Sequence, residues 1–267
     1  MILVEKTELL DEVFEKYFQK GTWSNNYILK DEYFEHIENQ KLFYIQDDQN
    51  SYFLIKKNSF YRLYYFINEP NTFFSALTDL PVVLEILYRG EKHFPSDQSD
   101  FWIQSGFKSH LTRDCYFLKN RDLTNFDGIH DLNIQNAQTQ EEFEYVKKLI
   151  DQDLDLYTGD NLTIDEIRDF ARQNLLYISY MEGKPCGFLQ SDDKNQVFWL
   201  GHIVVDSEFR GKGIAKSLVN HYLNEGKSRN CNQFQLWVIH DNKPAVELYK
   251  KYGFTYLNKS TYSMLKK

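Results

Sequence analysis

The stretch Val-Asp-Ser-Glu-Phe-Arg-Gly-Lys-Gly-Ile-Ala, residues 205–215, decides how the second half of the chain is interpreted. A strand-like apolar run ends at Val205, a loop with two glycines follows, and an amphipathic helical pattern begins at Ile214. Glycines let the backbone approach a ligand closely, and the N–H groups at a helix start attract phosphate. Arg210 and Lys212 add positive charge there. The pattern predicts a loop that binds a pyrophosphate.

Two better-known phosphate motifs do not fit this loop. The dinucleotide fingerprint needs three glycines, and only Gly211 and Gly213 are available. No Gly-Lys-Ser/Thr follows, which excludes a P-loop. Taken alone, the loop is also compatible with a surface turn before an ordinary helix.

A second stretch, residues 242–254, reads Asn-Lys-Pro-Ala-Val-Glu-Leu-Tyr-Lys-Lys-Tyr-Gly-Phe. Asp241 or Asn242 can cap a helix here, a proline suits its first turn, and Gly253 suits its end. Tyr249 falls on the apolar face of this predicted helix. Taken alone, such a tyrosine is most simply a packed core aromatic.

Together, the two stretches resemble the GNAT N-acetyltransferase superfamily. Its coenzyme loop has the pattern Arg/Gln-x-x-Gly-x-Gly/Ala, which Arg210, Gly213 and Ala215 match. Its later helix has the pattern Asn-x-x-Ala-x-x-Leu-Tyr-x-x-x-Gly-Phe. The matching residues are Asn242, Ala245, Leu248, Tyr249, Gly253 and Phe254. The resemblance covers half of the chain, from residue 131 to residue 267.

The resemblance implies a coenzyme and a set of residues that hold it. Acetyl-CoA is the expected co-substrate, and no metal is expected. The backbone of Ile203, Val204 and Val205 is expected to bind the pantetheine arm, and Asn242 is expected to contact the coenzyme from the other side. The loop residues expected to bind the pyrophosphate are Arg210, Gly211, Lys212, Gly213, Ile214 and Ala215.

The resemblance also implies direct attack of an amine on the thioester. Tyr249 is then the general acid that protonates the departing thiolate, while backbone N–H groups of the strand before the loop stabilise the oxyanion. A base must also deprotonate the amine. His202 is the only titratable side chain at the relevant end of that strand. Strict strand alternation would turn it away if Trp199 and Gly201 face the site. A water chain or an acceptor-side carboxylate remains an alternative.

The bulk properties limit the partners and the compartment. The formal net charge is −8 without any Lys/Arg-rich run, which disfavours nucleic acid as a ligand. Cys115, Cys186 and Cys231 lie far apart and suit neither a disulfide framework nor a zinc site. No apolar run approaches the roughly 20 residues that span a bilayer. We expect a cytoplasmic protein without a membrane partner.

The length of 267 residues favours two domains. The polar residues 120–131 place a boundary between domains 1–125 and 126–267. Strand-like and helix-like runs in both halves predict an α/β (α+β) fold in which each domain is a mixed, mostly antiparallel twisted sheet flanked by helices. Predicted details include a helix over residues 9–18, a capping box of Thr163 and Glu166, and a last pair of strands.

The end of the first half echoes the end of the second. Residues 101–107 and the following strand parallel residues 248–254 and theirs, and Trp102 stands where Tyr249 stands. No Arg-x-x-Gly-x-Gly/Ala occurs in the first half. We therefore expect a tandem GNAT-like protein whose degenerate N-terminal copy lacks a coenzyme site and forms a wall of the acceptor pocket. Coincidence of so short an echo is the alternative.

The resulting prediction is an N-acetyltransferase that acetylates a primary amine of a small molecule or peptide. One alternative is a non-catalytic acyl-CoA sensor. Another is an aminoacyl-tRNA-dependent transferase, which the coenzyme loop and the missing basic groove disfavour. Acidic residues in the predicted pocket walls mildly favour a cationic or polyamine-like acceptor; these are Asp151, Asp153, Asp155 and Asp160. The sequence fixes neither the acceptor nor the oligomeric state.

Overall fold

The computed structural model describes residues 1–17, 19–46, 49–75, 78–122, 132–159 and 161–267. Within these residues the chain forms two compact units. The first consists of Met1–Thr112 and Lys259–Lys267, and the second is Arg113–Asn258. The predicted boundary between residues 125 and 126 lies outside the described residues, as do Phe18 and Asp160. The assignment of functions to domains 1–125 and 126–267 therefore stays a prediction.

The first unit alternates helices with aromatic-rich strands. Its elements in chain order are β1 (Ile2–Leu3), α1 (Glu8–Tyr17), β2 (Trp23–Ser24), α2 (Lys30–Glu38), β3 (Leu42–Gln46), β4 (Asn50–Lys56), β5 (Tyr61–Ile67), β6 (Val82–Tyr88), α3 (Ser96–Gln104) and the start of β7 (Lys108–Lys119).

The second unit contains both stretches that carry the family resemblance. Its elements are the rest of β7, then β8 (Asn133–Asn136), α4 (Gln140–Asp153), α5 (Ile164–Arg172), β9 (Leu176–Met181), β10 (Lys184–Lys194), β11 (Val197–Val205), α6 (Ile214–Ser228), β12 (Gln233–Ile239), α7 (Lys243–Lys251) and the start of β13 (Thr255–Lys266).

The sheet of the first unit has the strand order β1-β3-β4-β5-β6-β13, and β2 also pairs with β5. Strand β5 is buried along its whole length because both faces of the sheet are covered. Leu10 and Tyr33 of α1 and α2 belong to the core on one face, and Phe101 and Trp102 of α3 belong to the core on the other. Six of its seven residues are aromatic or aliphatic, as suits a strand that is buried on both sides, and the seventh, Arg62, is paired with Glu85 at 2.6 Å.

The sheet of the second unit has the strand order β7-β12-β11-β10-β9-β8. Its β11–β12 pair is parallel and the other pairs are antiparallel. Helices α4 and α5 pack on one face, through residues such as Val146 and Ile167. Helices α6 and α7 pack on the opposite face, through residues such as Leu218 and Tyr249. The predicted fold class, a mixed and mostly antiparallel sheet with flanking helices, is confirmed.

Each sheet contains a strand segment from the other half of the sequence. In the second unit, residues 113–119 of β7 pair with β12 along its whole length. In the first unit, residues 260–266 of β13 pair with the whole of β6. The sheet that carries the predicted coenzyme loop is therefore incomplete without a strand that precedes residue 125.

Most predicted elements are confirmed, including the capping box in which the Thr163 hydroxyl accepts a hydrogen bond from the Glu166 N–H. The predicted last pair of strands is wrong, because β13 is one continuous strand. Its turn-like Asn258 has a φ of 55°, a left-handed conformation that asparagine tolerates, and the strand continues through this residue. Within the described residues, no helix is long and apolar enough to cross a bilayer.

The shared strands predict how the second unit behaves as a fragment. We expect fragment 113–258 to be soluble and to unfold cooperatively, because it keeps the β7 residues that pair with β12. Fragment 126–258 lacks them, so β12 loses its antiparallel partner along its whole length and the core loses Tyr116 and Leu118. Circular dichroism and size-exclusion chromatography of the two fragments measure the difference. Equal solubility and equal melting temperatures would contradict this role of β7.

Candidate active site

The two parallel strands at the centre of the second unit separate part-way along their length. Strand β11 pairs with β12 from Val197 opposite Gln233 to Leu200 opposite Leu236, and the pairing then stops. Both strands continue beyond that point, to Val205 and Ile239. Residues 201–205 of β11 thus have no strand partner on this side. We call the space between the separated ends the β11–β12 cleft.

A β-bulge lies at the point where the strands separate. Gln190 of β10 is opposite His202, but the next residue, Ser191, is opposite Leu200, so Gly201 is the extra residue. The bulge changes which face the β11 side chains occupy. Leu200 belongs to the core under α6 and α7, whereas Val204 belongs to the core under α4 and α5. Strict alternation would place these two residues on the same face.

The bulge corrects the sequence-based argument about His202. A Cβ atom on Gly201 would lie 1.8 Å from Oε1 of Gln190, the residue that is opposite His202. Gly201 and His202 therefore point to the same side of the sheet, and the alternation argument against His202 is wrong. The half-buried His202 stays a candidate base.

The loop after β11 presents a row of backbone donors. Gly211 and Gly213 have φ values of 79° and 82°, which glycine adopts without strain, and Gly213 immediately precedes α6. No described residue accepts a hydrogen bond from the N–H groups of residues 211–215. Unpaired N–H groups at a helix start attract anions. The loop therefore presents unpaired N–H groups of the kind that bind anions.

The basic side chains of the loop contact the protein itself. Arg210 donates one hydrogen bond from Nε to the Val205 carbonyl, at 3.1 Å, and one from Nη2 to Oδ1 of Asp153, at 2.8 Å. The Lys212 ammonium lies 5.0 Å from the centre of the Phe209 ring. The predicted contacts of both side chains with a coenzyme stay predictions.

Helix α7 brings a buried phenol to the α6 and α7 face of the cleft. Asn242 caps this helix, with its side chain accepting a hydrogen bond from the Ala245 N–H at 3.3 Å. Tyr249 is 9% exposed and contacts the ring of Phe254. Burial raises the pKa of Tyr249, so its phenol is protonated throughout the neutral range. Among the described residues, its hydroxyl has no hydrogen-bond partner.

A short loop after α4 lies on the sheet face opposite to Tyr249, and local sequence patterns did not predict its anchors. In this α4–α5 loop, residues 154–159, Oδ1 of Asp155 accepts hydrogen bonds from the N–H groups of Tyr157 and Thr158. Arg113 of β7 donates a hydrogen bond to the Thr158 carbonyl at 2.8 Å. Its guanidinium also lies 6.0 Å from the ring of Trp237, beyond the last β11–β12 pair.

Three of the acidic residues expected to attract a cationic acceptor are already engaged. Asp151 pairs with Lys147, and Asp153 pairs with Arg210. Asp155 accepts hydrogen bonds within its own loop. Because they are engaged within the protein, these three carboxylates do not indicate that the acceptor is a cation.

The first unit has a similar strand separation, but its own chain fills the space. Strand β5 pairs with β6 at only two positions, through Tyr61 and Arg62. The Asn25 side chain donates a hydrogen bond to the Leu63 carbonyl, at 2.9 Å, and accepts one from the Tyr65 N–H, at 2.8 Å. Strand β2 then pairs with the last residues of β5. The backbone edge that is open in β11 is thus occupied in β5.

The position that corresponds to Tyr249 in the first unit is part of a closed aromatic core. Trp102 is fully buried and contacts the rings of Tyr65, Phe74 and Phe107. No phenol occupies this position. The filled edge and the packed indole agree with the expectation that the first unit lacks a coenzyme site, which itself stays a prediction.

Known proteins share both the sequence and the architecture of the second unit. Residues 137–254 match the profile of the Acetyltransferase (GNAT) family. The chain is 32% identical to N-alpha-acetyltransferase 30 of Saccharomyces cerevisiae over 135 residues, 46% of this chain and 73% of the yeast protein. The chain belongs to the GNAT N-acetyltransferase family. The predictions of family and of acyltransferase class are confirmed at this level.

Two other GNAT relatives are matched over shorter segments. An uncharacterized N-acetyltransferase of Methanocaldococcus jannaschii is 36% identical over 29% of this chain and 38% of its own length. The spermine/spermidine N(1)-acetyltransferase of Bacillus subtilis is 27% identical over 29% of this chain and 57% of its own length. The chain thus spans less than two thirds of the length of both proteins.

Solved GNAT structures share the fold over most of the chain. A GCN5-related N-acetyltransferase from Sphaerobacter thermophilus superposes with a TM-score of 0.60 and 11% identity, covering 81% of this chain and 76% of that one. A tandem GNAT protein from the clavulanic acid biosynthesis pathway superposes with a TM-score of 0.51 and 12% identity, covering 81% of this chain and 78% of that one. At these identities the likeness concerns the fold alone.

The occupied edge of β5 leads to a prediction about Asn25. Replacing this buried residue with alanine leaves the Leu63 carbonyl and the Tyr65 N–H unpaired. We expect N25A to lower the free energy of unfolding by about 1–3 kcal/mol, measured by urea titration. The exposed amide of Asn39 provides a control, and N39A should change stability little. Equal stability of N25A and the wild type would show that the amide does not fill this edge.

Proposed function

We propose that the chain is an acetyl-CoA-dependent N-acetyltransferase that acetylates a primary amine of a small molecule or a peptide. The observation that carries the proposal is the early end of the β11–β12 pairing, at Leu200 and Leu236. It leaves a strand edge for an extended ligand between the free N–H groups of residues 211–215 and the buried phenol of Tyr249. Membership of the GNAT family supports this assignment of the cleft.

In the proposed complex the coenzyme is held mainly by backbone groups. The N–H groups of residues 211–215 bind the pyrophosphate, and the backbone of Ile203, Val204 and Val205 binds the pantetheine arm. Asn242 contacts the coenzyme from the β12 side. Its side-chain oxygen caps α7, so the amide group is the part of this side chain available for that contact.

The proposed reaction is a direct transfer. The neutral amine attacks the carbonyl carbon of the acetyl thioester, and N–H groups near the β11 bulge stabilise the negative oxygen. The carbon–sulfur bond then breaks, and the phenol of Tyr249 gives its proton to the leaving thiolate. The amine nitrogen releases a proton to a base, for which His202 is one candidate and a water chain another. The products are an amide and CoA.

The nature of the relatives supports an amine as acceptor. One relative is named for acetylation of spermine and spermidine, and another for N-alpha-acetylation. We test the activity with the full chain by titration with acetyl-CoA, followed by thiol release over a panel of polyamines, amino acids and peptide N-termini. Turnover of at least one amine is expected. Binding without turnover of any amine would instead favour an acyl-CoA sensor.

The first unit is proposed to be a degenerate GNAT-like copy that has no coenzyme site of its own. The echo between residues 101–107 and 248–254 and the similar β5–β6 separation support this proposal. Calorimetric titration should then give one CoA per chain. Two equivalent sites per chain would contradict it.

The role of Tyr249 gives a prediction for its phenylalanine variant. We expect Y249F to lower kcat by about 100-fold, because the acid is lost, without a change in the KM for acetyl-CoA. Steady-state thiol release at neutral pH measures both constants. Tyr252 provides the matched control, since its hydroxyl donates a hydrogen bond to the Lys216 carbonyl and Y252F should affect stability rather than kcat. Undiminished turnover by Y249F would contradict the acid role.

A further inference from the structure

The contacts of Arg210 link the coenzyme loop to the α4–α5 loop. Its guanidinium bonds to the carbonyl of Val205, the last residue of the open β11 edge, and to the carboxylate of Asp153, the last residue of α4. The α4–α5 loop, residues 154–159, begins at the next residue. A displacement of Arg210 therefore acts directly on the start of that loop.

The position of Asp153 is unfavourable for the helix that carries it. The C-terminal end of a helix has partial negative charge, so a carboxylate in the last turn is destabilising. No basic residue occupies that turn of α4. The pairing with Arg210 offsets this cost, and helix stability alone does not explain an aspartate here.

Internal hydrogen bonds hold the α4–α5 loop together. Hydrogen bonds from the Tyr157 N–H, the Thr158 N–H and the Thr158 hydroxyl all end on Oδ1 of Asp155. Gly159 donates a backbone hydrogen bond to the Asp155 carbonyl at 2.8 Å. The far end of the loop is held by the bond from Arg113 to the Thr158 carbonyl. A continuous series of contacts thus links Asp153 through the loop to Arg113, which lies beside the β11–β12 cleft.

We infer that Asp153 is a positioning residue that couples occupancy of the coenzyme loop to the position of the α4–α5 loop through Arg210. The inference rests on the proposed function, because the coenzyme must bind at residues 211–215. Binding of the pyrophosphate there fixes the loop that carries Arg210, and Arg210 then holds Asp153. The coenzyme would in this way order the loop that covers the acceptor side before the amine enters.

The expected size of the coupling follows from the exposure of the pair. The Arg210 and Asp153 side chains are 55% and 30% exposed, and exposed ion pairs contribute about 0.2–1 kcal/mol to stability. A free-energy difference of this size corresponds to at most about a fivefold change in an equilibrium constant. The effect should therefore appear as a modest slowing of amide exchange in the loop rather than as a loss of coenzyme binding.

The test is hydrogen–deuterium exchange of the full chain with and without saturating free CoA, followed at peptides that cover residues 154–159. In the wild type, CoA should slow exchange there by about two- to fivefold. In D153N this slowing should disappear while CoA still binds. The conservative variant D153E should restore it. D151N is the matched control, because Asp151 lies on the same helix and pairs with Lys147 instead.

Each outcome decides a different question. Full CoA-dependent slowing in D153N would overturn the coupling and leave the proposed function intact. Loss of the slowing in D151N as well as D153N would also overturn it, because a general effect of charge on α4 would then suffice. Absence of CoA binding by the wild type would overturn the proposed function, and this inference with it.

Discussion

The early end of the β11–β12 pairing is the constraint on which the rest of the second unit depends. The parallel pairing stops at Leu200 and Leu236 although both strands continue. Backbone donors and acceptors that stay unpaired in a protein interior cost free energy. The arrangement makes sense if a ligand with its own hydrogen-bonding groups lies between the strands. The bulge at Gly201, the glycine loop and the buried phenol on α7 all lie around that opening. The proposed coenzyme site lies in this cleft.

The contrast with the first unit strengthens this interpretation. There β5 and β6 separate in the same way, but residues of the same unit form hydrogen bonds with the exposed strand edge. Asn25 and strand β2 occupy the β5 edge, and Trp102 packs where a phenol would be needed. Both units thus meet the same requirement for backbone hydrogen bonds. One meets it with its own chain, and the other is proposed to meet it with a coenzyme.

The sequence predicted the fold class and the glycine turn before α6 well, because these depend on local patterns. Local signals determine the structure of residues only a few positions away. They include helical and strand periodicity, the capping residues Thr163 and Asn242, and the glycines at 211 and 213. The exchange of β7 and β13 segments was not predictable, since strand pairing depends on distant parts of the chain. The bulge at Gly201 was missed for a similar reason: it becomes visible only in the register with β10. The Arg210–Asp153 and Arg113–Thr158 contacts join residues far apart in sequence, and no local signal announces them.

The most direct test of the central claim is a crystal structure of the full chain with CoA. The account predicts one coenzyme per chain, with its pyrophosphate at the N–H groups of residues 211–215, its pantetheine arm along residues 203–205, and its sulfur beside the hydroxyl of Tyr249. A coenzyme bound away from the β11–β12 cleft, or in the first unit at the edge that Asn25 occupies, would contradict it.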